Sequence, residues 1–209
     1  MLISNSMLCA FFFASIVLAL VPGPDNIFVL TQSAIRGRLA GWVISLGLCT
    51  GLVGHTLLVS SGVAIIFKAS PMAFTSMKLA GGAYLLYLAF LALRASAAKL
   101  NPSENDEASL YQLYRRGIIM NMTNPKVSIF FLSFLPQFAD PERGSVMLQI
   151  VTLGFVFIIS ALLFFGMISL FAGFLGEHLQ RSPKTQNIMN RIAATVYVTL
   201  AVKLISAEM

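Results

Sequence analysis

The chain has 209 residues, of which 57% are hydrophobic and only 11% are charged. A soluble domain carries about 25% charged residues, so this chain lacks the side chains that would cover a water-soluble globule. Intrinsic disorder is excluded because it requires low hydrophobicity, and two cysteines are too few for a disulfide scaffold. These properties indicate a protein that crosses a membrane several times.

The formal net charge of +6 does not indicate a nucleic-acid-binding protein. Its basic residues are scattered over short segments between apolar runs, where such residues set the orientation of membrane helices. No nucleic-acid-binding motif accompanies them. We therefore expect the lipid bilayer, and no nucleic acid, as a partner.

Six apolar stretches follow one another along the chain, each long enough for a membrane helix. They cover residues 7–35, 39–67, 72–93, 117–138, 146–176 and 188–205. Residues 153–165 are almost continuously apolar, which is typical of a helix and not of an alternating strand. The sequence thus predicts an all-α fold in which residues 1–209 form a single transmembrane domain. Its six helices would form two groups of three, divided by a polar loop at 95–116, and the opposite orientation of the groups suggests an inverted repeat.

The distribution of lysine and arginine predicts the orientation in the membrane. Nine of them follow the first, third or fifth stretch, and four lie on the opposite side. The nine are Arg36, Arg38, Arg94, Lys99, Arg115, Arg116, Arg181, Lys184 and Arg191, and the four are Lys68, Lys78, Arg143 and Lys203. Because positive charge accumulates on the cytoplasmic side, we expect both termini to be extracytoplasmic.

The first stretch is interrupted at residues 22–26, where Pro22, Gly23 and Pro24 precede Asp25 and Asn26. Two prolines remove backbone donors and clash with the preceding turn, and the glycine adds backbone freedom. A continuous helix is therefore not expected here. Asp25 or Asn26 suits the N-cap of a new helix.

The fourth stretch is interrupted at residues 121–126, which read Asn-Met-Thr-Asn-Pro-Lys. Pro125 fits the first turn of a helix, and Asn124 before it fits the N-cap. The second half of this stretch would run over residues 127–138, with Pro136 near its end as a further kink.

Both interruptions lie at a similar depth. As a helix, residues 7–21 measure roughly 22 Å, which leaves roughly 8 Å of a hydrocarbon core about 30 Å thick. Residues 117–123 enter from that far face and reach roughly 10 Å into the core. Broken membrane helices are tolerated only where protein or a water-filled cavity satisfies the backbone, and in transporters they form substrate sites. We therefore expect the two interruptions to meet.

Each interruption also carries an ionisable residue, Asp25 in the first and Lys126 in the second, and such residues within a membrane are by default functional. Lys126 and the helix N-termini would hold a carboxylate, whereas Asp25 and free carbonyls would hold an ammonium group. A free amino acid carries both groups, and other zwitterions fit the same charges. The candidate substrate-binding residues are Pro22, Gly23, Pro24, Asp25, Asn26, Asn121, Asn124, Pro125 and Lys126.

Purely structural roles are the alternative for these residues. Asp25 could cap a helix or pair with Lys126, Lys126 could anchor at the interface, and the two asparagines could cap freed backbone. His55 lies within the second stretch, and histidine is the side-chain type whose charge usually changes near neutral pH. It and Asp25 are the candidates for proton coupling, while an interhelical hydrogen bond is the structural alternative for His55.

At these residues the sequence resembles the LysE-type translocators, in particular the homoserine/threonine-exporter branch. The stretches that carry the resemblance are residues 21–26, 41–55, 78–85, 121–126 and 134–138. The resemblance implies a multi-pass protein of the bacterial cytoplasmic membrane that exports amino acids or their derivatives, driven by the proton gradient. The family also has relatives that move metal cations, so a metal-cation exporter or a passive channel is the alternative.

The sequence does not favour an enzyme. His55 and His178 are far apart and outside any His-Glu-x-x-His pattern. A phosphate-binding loop is absent, so an ATP-driven pump would need another subunit. Within the apolar stretches Asp25 is the only acidic residue, which argues against a metal site built from several carboxylates. We expect no cofactor and no bound metal.

Overall fold

The computed structural model describes residues 2–20, 23–69, 71–94, 108–181 and 183–206, and regular structure within these ranges is entirely helical. The helices are α1 (Asn5–Leu20), α2 (Pro24–Arg36), α3 (Arg38–Ala69), α4 (Pro71–Arg94), α5 (Leu110–Thr123), α6 (Pro125–Ile129), α7 (Val146–Arg181) and α8 (Pro183–Ser206). A π-helical turn (Phe130–Phe134) and a 3-10 turn (Leu135–Phe138) continue α6, and a second 3-10 turn (Pro141–Arg143) precedes α7. The all-α prediction is confirmed for this part of the chain.

The described segments contain two to four candidate membrane spans. Arg38–Gly62 in α3 and Val146–Ala172 in α7 are long and apolar enough to cross a membrane. Two bent pairs add up to two more spans if each pair counts as one: α1 with α2, bent by 65°, and α5 with Pro125–Phe138, bent by 51°. The predicted number of six spans in two groups of three is therefore not confirmed.

Helix α3 lies at the centre of the bundle, packed against both α5 and α7, while α4 pairs with α8 and contacts the π-helical turn. The contact between α3 and α5 is a backbone contact. A Cβ atom on Gly47 would stand 2.2 Å from the carbonyl oxygen of Tyr114, and one on Gly117 would stand 2.6 Å from that of Ile44. Two facing glycines thus allow α5 to approach α3 closely enough to carry its last turn into the core.

Helix α5 begins earlier than the sequence predicts. Its start at Leu110 lies within the predicted polar loop, because Ser109 and Gln112 form a capping box. The Ser109 hydroxyl accepts a hydrogen bond from the Gln112 amide at 3.3 Å, and the Gln112 side chain accepts one from the Ser109 amide at 2.7 Å. Residues 95–107 of that predicted loop lie outside the described residues.

Alpha geometry also ends earlier than predicted in the second half of the broken fourth stretch. Residues 127–138 were expected to form the second half with a kink at Pro136, but α6 already gives way to the π-helical turn at Phe130 and then to the 3-10 turn at Leu135. Pro136 lies in the first turn of that 3-10 segment. A proline cannot donate the backbone hydrogen bond that α geometry would require there, so the helix changes its winding around it.

Candidate functional site

The break between α1 and α2 has the predicted position but a different cap. Gly23, in extended conformation with φ of −148°, is the N-cap residue of α2, and Pro24 occupies its first turn. The prediction that Asp25 or Asn26 caps this helix is wrong, because the fixed φ of proline is already helical and starts the helix at Pro24. Pro22 lies outside the described residues.

Asp25 and Asn26 have separate roles in the first turn of α2. The side-chain amide of Asn26 donates a hydrogen bond to the carbonyl oxygen of Ala19 at 2.7 Å, which satisfies one of the carbonyls left over at the end of α1. Asp25 is buried, with 5% of its surface exposed. Its position in the first turn is the end of a helix where a negative charge is stabilised.

The second break is organised by Asn124, as predicted. Its side-chain oxygen accepts a hydrogen bond from the backbone amide of Lys126 at 3.0 Å, which caps α6, and Pro125 follows in the first turn. Its backbone amide donates to the carbonyl oxygen of Asn121 at 3.1 Å, which closes the end of α5. Asn124 therefore joins the two halves of the broken helix.

The two breaks are in direct contact through Asp25. The amide nitrogen of Asn124 donates to one carboxylate oxygen of Asp25 at 3.0 Å, and that of Asn121 approaches the other at 3.5 Å. Asn121 and Asn124 are 2% and 5% exposed, so the three side chains form a buried polar contact. Burying a charge is costly unless hydrogen bonds compensate for lost water, and the asparagines provide that compensation.

Two basic side chains complete this arrangement. Lys126 and His55 both interact electrostatically with Asp25. The Nε2 atom of His55, which comes from α3, lies 3.3 Å from the carbonyl oxygen of Asn121, and its imidazole packs 5.6 Å from the ring of Phe131. We call Asp25, His55, Asn121, Asn124 and Lys126 the polar cluster.

The structure adds two residues that the sequence did not single out for the site. Gly51 faces Asn121, since a Cβ atom at Gly51 would stand 2.6 Å from the side-chain oxygen of Asn121. That oxygen is buried and accepts no hydrogen bond from the described residues. The ring of Phe131 packs against the imidazole of His55. Neither contact has a local sequence signal, because both depend on how α3 and the second broken helix pack.

The described residues contain no group of three or more histidine, cysteine, aspartate or glutamate side chains placed to hold a metal ion. Gly23, Pro24 and Pro125 shape the backbone at the two breaks, and the two prolines are exposed. The functional groups of the site are thus those of the polar cluster: one carboxylate, one ammonium group, one imidazole and two amides.

A family profile described as LysE type translocator matches residues 16–208. The chain belongs to the LysE type translocator family. This translocator is 39% identical over 127 residues to an uncharacterized membrane protein of Pseudomonas aeruginosa, a match that covers 58% of the chain and 59% of that protein. It is 30% identical over 200 residues to an uncharacterized membrane protein of Vibrio cholerae serotype O1, covering 95% and 96%. No solved structure matches this translocator significantly.

Members of this family are transporters and not enzymes, and the relatives are named as membrane proteins. The chain is accordingly a membrane transporter. The names of the relatives carry no substrate, so the assignment to the homoserine/threonine branch remains a prediction.

Proposed function

We propose that this protein is a secondary active exporter of amino acids or amino-acid derivatives, coupled to protons, in the bacterial cytoplasmic membrane. The observation that carries the proposal is the contact of Asp25 with Asn124 and Asn121 across the two helix breaks. It brings a buried carboxylate and the Lys126 side chain to one place within a transporter of this family.

The charges of the polar cluster suit a zwitterion. Each carboxylate oxygen of Asp25 accepts one amide hydrogen bond, although an ionised carboxylate has about four acceptor positions. An ammonium group can therefore bind to Asp25 without displacing the asparagines. A carboxylate would bind to Lys126, whose position in the first turn of α6 adds the positive end of the peptide dipoles.

Proton coupling is assigned to His55 and Asp25. An imidazole can carry a proton, and the Nε2 atom of His55 lies close to the backbone of Asn121, whose side chain in turn approaches Asp25. A proton on His55 weakens the hold of Asp25 on a cationic group, because the imidazolium competes for the same negative charge. Binding of a proton and binding of a substrate ammonium group would thus oppose each other.

The packing pattern supports six spans related as two groups of three. In such a repeat α1 corresponds to α5, α3 to α7, and α4 to α8. The contact between α3 and α5 then has its counterpart in the contact between α7 and α1, and both are present. The α3–α7 and α4–α8 contacts each join a helix to its own counterpart. An inverted repeat with sites at the broken helices is a common transporter plan. With the excess of basic residues inside, both termini would be extracytoplasmic.

The direct test follows intracellular pools in cells that express the protein and are loaded with individual amino acids or dipeptides. We expect one amino acid to leave faster, and the effect to disappear in Asp25→Asn. Glu142→Gln is the matched control, since Glu142 is an exposed carboxylate in the 3-10 turn before α7. Unchanged amino-acid pools combined with altered metal tolerance would contradict the proposal and favour a metal-cation exporter.

A further inference from the structure

A cavity of about 280 Å³ lies at the end of the bundle where α1 begins, between α1, the 3-10 turn at Leu135–Phe138 and α8. Its polar lining residues are Ser4, Ser6 and Gln137, and its apolar lining residues are Met7, Ala10, Phe134, Phe138 and Leu204. Small-molecule sites measure roughly 300–1,000 Å³. At about 280 Å³ the cavity lies just below this range, so it suits a solute as small as a single amino acid.

The cavity and the polar cluster lie toward opposite ends of one helical segment, residues 125–138. Lys126 at the start of this segment belongs to the polar cluster, and Phe134, eight residues later, lines the cavity. Eight residues correspond to roughly 12 Å along a helix. The cavity therefore lies roughly two helical turns from the polar cluster, toward the start of α1.

An aromatic layer separates the two places. The ring of Phe134 lies 4.8 Å from that of Phe130 and 5.1 Å from that of Phe138, and Phe11 of α1 packs 5.0 Å from Phe138. All four side chains are buried. Phe134 belongs to both the layer and the cavity, because its ring packs against that of Phe130 and its side chain lines the cavity.

The backbone under this layer departs from α geometry. Phe130–Phe134 forms a π-helical turn, which holds one residue more per turn than an α-helix and is frequent at functional sites. Its conversion to α geometry would rotate the residues that follow by about 100° relative to Lys126. Such a rotation would move Phe134 and Phe138 together out of the layer.

We propose that the cavity is a second solute-contacting site of this transporter, and that Phe134 closes the path between it and the polar cluster. The inference rests on the proposed function. The solute class, a small zwitterion, is that of the proposed function. Its polar groups would meet Ser6 and Gln137, and its apolar part would rest on Met7 and Phe138. Since no lining residue is charged, the site holds the solute weakly, as a release site requires.

Cysteine protection tests whether the solute enters the cavity. In a background of Cys9→Ser and Cys49→Ala, which removes both cysteines of the chain, Ser6→Cys is labelled with a water-soluble thiol reagent in open membranes. The transported amino acid is expected to slow labelling by about tenfold at ten times its dissociation constant, because protection follows mass action. Ser145→Cys, an exposed position before α7, should be labelled at the same rate with and without it.

Transport by cavity and layer variants supplies the second measurement. Ala10→Trp fills the cavity and should abolish export, whereas Phe134→Leu should increase downhill flux in the absence of a proton gradient. Phe155→Leu is the control for the second change, because Phe155 is an exposed phenylalanine of α7. Full export by Ala10→Trp together with unprotected Ser6→Cys overturns the inference while the parent protein still transports. Absence of transport by the parent protein instead overturns the proposed function, and this inference with it.

Discussion

Asp25 and Asn124 are 99 positions apart in the chain, yet the amide nitrogen of Asn124 lies 3.0 Å from a carboxylate oxygen of Asp25. Each residue lies at the break of one of the two bent helix pairs, and Asn124 also caps α6 through its oxygen. One side chain therefore uses its acceptor for its own helix and its donor for the other break. The geometry of the two breaks is coupled through this residue.

Substitutions of Asn124 can separate these two uses. Asn124→Ser keeps an N-cap oxygen but is too short to replace the amide donor, so we expect a folded protein with transport reduced about 10- to 100-fold, the value of a hydrogen bond to a charged group. Asn124→Asp keeps the cap and places a second carboxylate against Asp25, so its transport should be lower still. Transport rates in vesicles, normalised to protein amount, measure both effects.

One result would contradict a role of Asn124 in substrate binding. If Asn124→Ser transports at the parental rate while Asn124→Ala does not, the cap alone accounts for the residue. The contact with Asp25 would then be structural, and the polar cluster would lose its role in substrate binding.

Lys126→Gln should change the recognition of the carboxylate selectively. Because Lys126 is assigned to the carboxylate end of the substrate, the variant should lose about tenfold or more in affinity for the amino acid, the loss of one charge-assisted hydrogen bond. Its affinity for the corresponding amide, which has no charged carboxylate, should change little. Competition by the two compounds for uptake into inverted vesicles measures the difference. Equal losses for both would place Lys126 outside the carboxylate site.

His55→Gln distinguishes a proton carrier from a hydrogen-bond donor. The glutamine amide can still donate to the carbonyl oxygen of Asn121 but cannot titrate near neutral pH. We expect the variant to exchange labelled for unlabelled amino acid at a near-parental rate and to lose proton-driven uphill export. His55→Ala, which removes the donor as well, should impair both. Retained uphill export in His55→Gln would remove His55 from the coupling step.

The glycines of α3 should respond differently to alanine. At Gly47 the added Cβ would stand 2.2 Å from a backbone oxygen of Tyr114, which cannot move aside, so we expect destabilisation of about 1–3 kcal/mol or more from overpacking. At Gly51 the added atom would stand 2.6 Å from the Oδ1 atom and 2.8 Å from the Cβ atom of Asn121. Because Asn121 belongs to the polar cluster, transport should fall along with stability.

Gly62→Ala is the control for both changes, since nothing lies within 4 Å of the added atom. Thermal unfolding in detergent should be close to that of the parent protein for Gly62→Ala and clearly lower for Gly47→Ala. A thermally normal Gly47→Ala would mean that α3 and α5 do not approach as closely as the structure describes.

The positions of the helix breaks were predictable because proline acts locally. Pro24 and Pro125 lack the backbone donor that a helix interior requires, so each breaks the helix wherever the chain goes afterwards. The same logic correctly assigned the cap of α6 to Asn124. It failed at α2, where the sequence favoured Asp25 or Asn26 over Gly23 as the cap, since side-chain caps are the usual signal.

The sequence by itself determined the helical class of the described segments, the two breaks and their ionisable residues, since each of these follows from residues next to one another. The tertiary structure alone decided that Asp25 would receive the amides of Asn121 and Asn124, that His55 would reach the same place, and that an aromatic layer would stand beside it. These contacts join helices that are far apart in the chain. They depend on backbone approaches such as that of Gly47 to α5, and no local pattern encodes the distance between two helices.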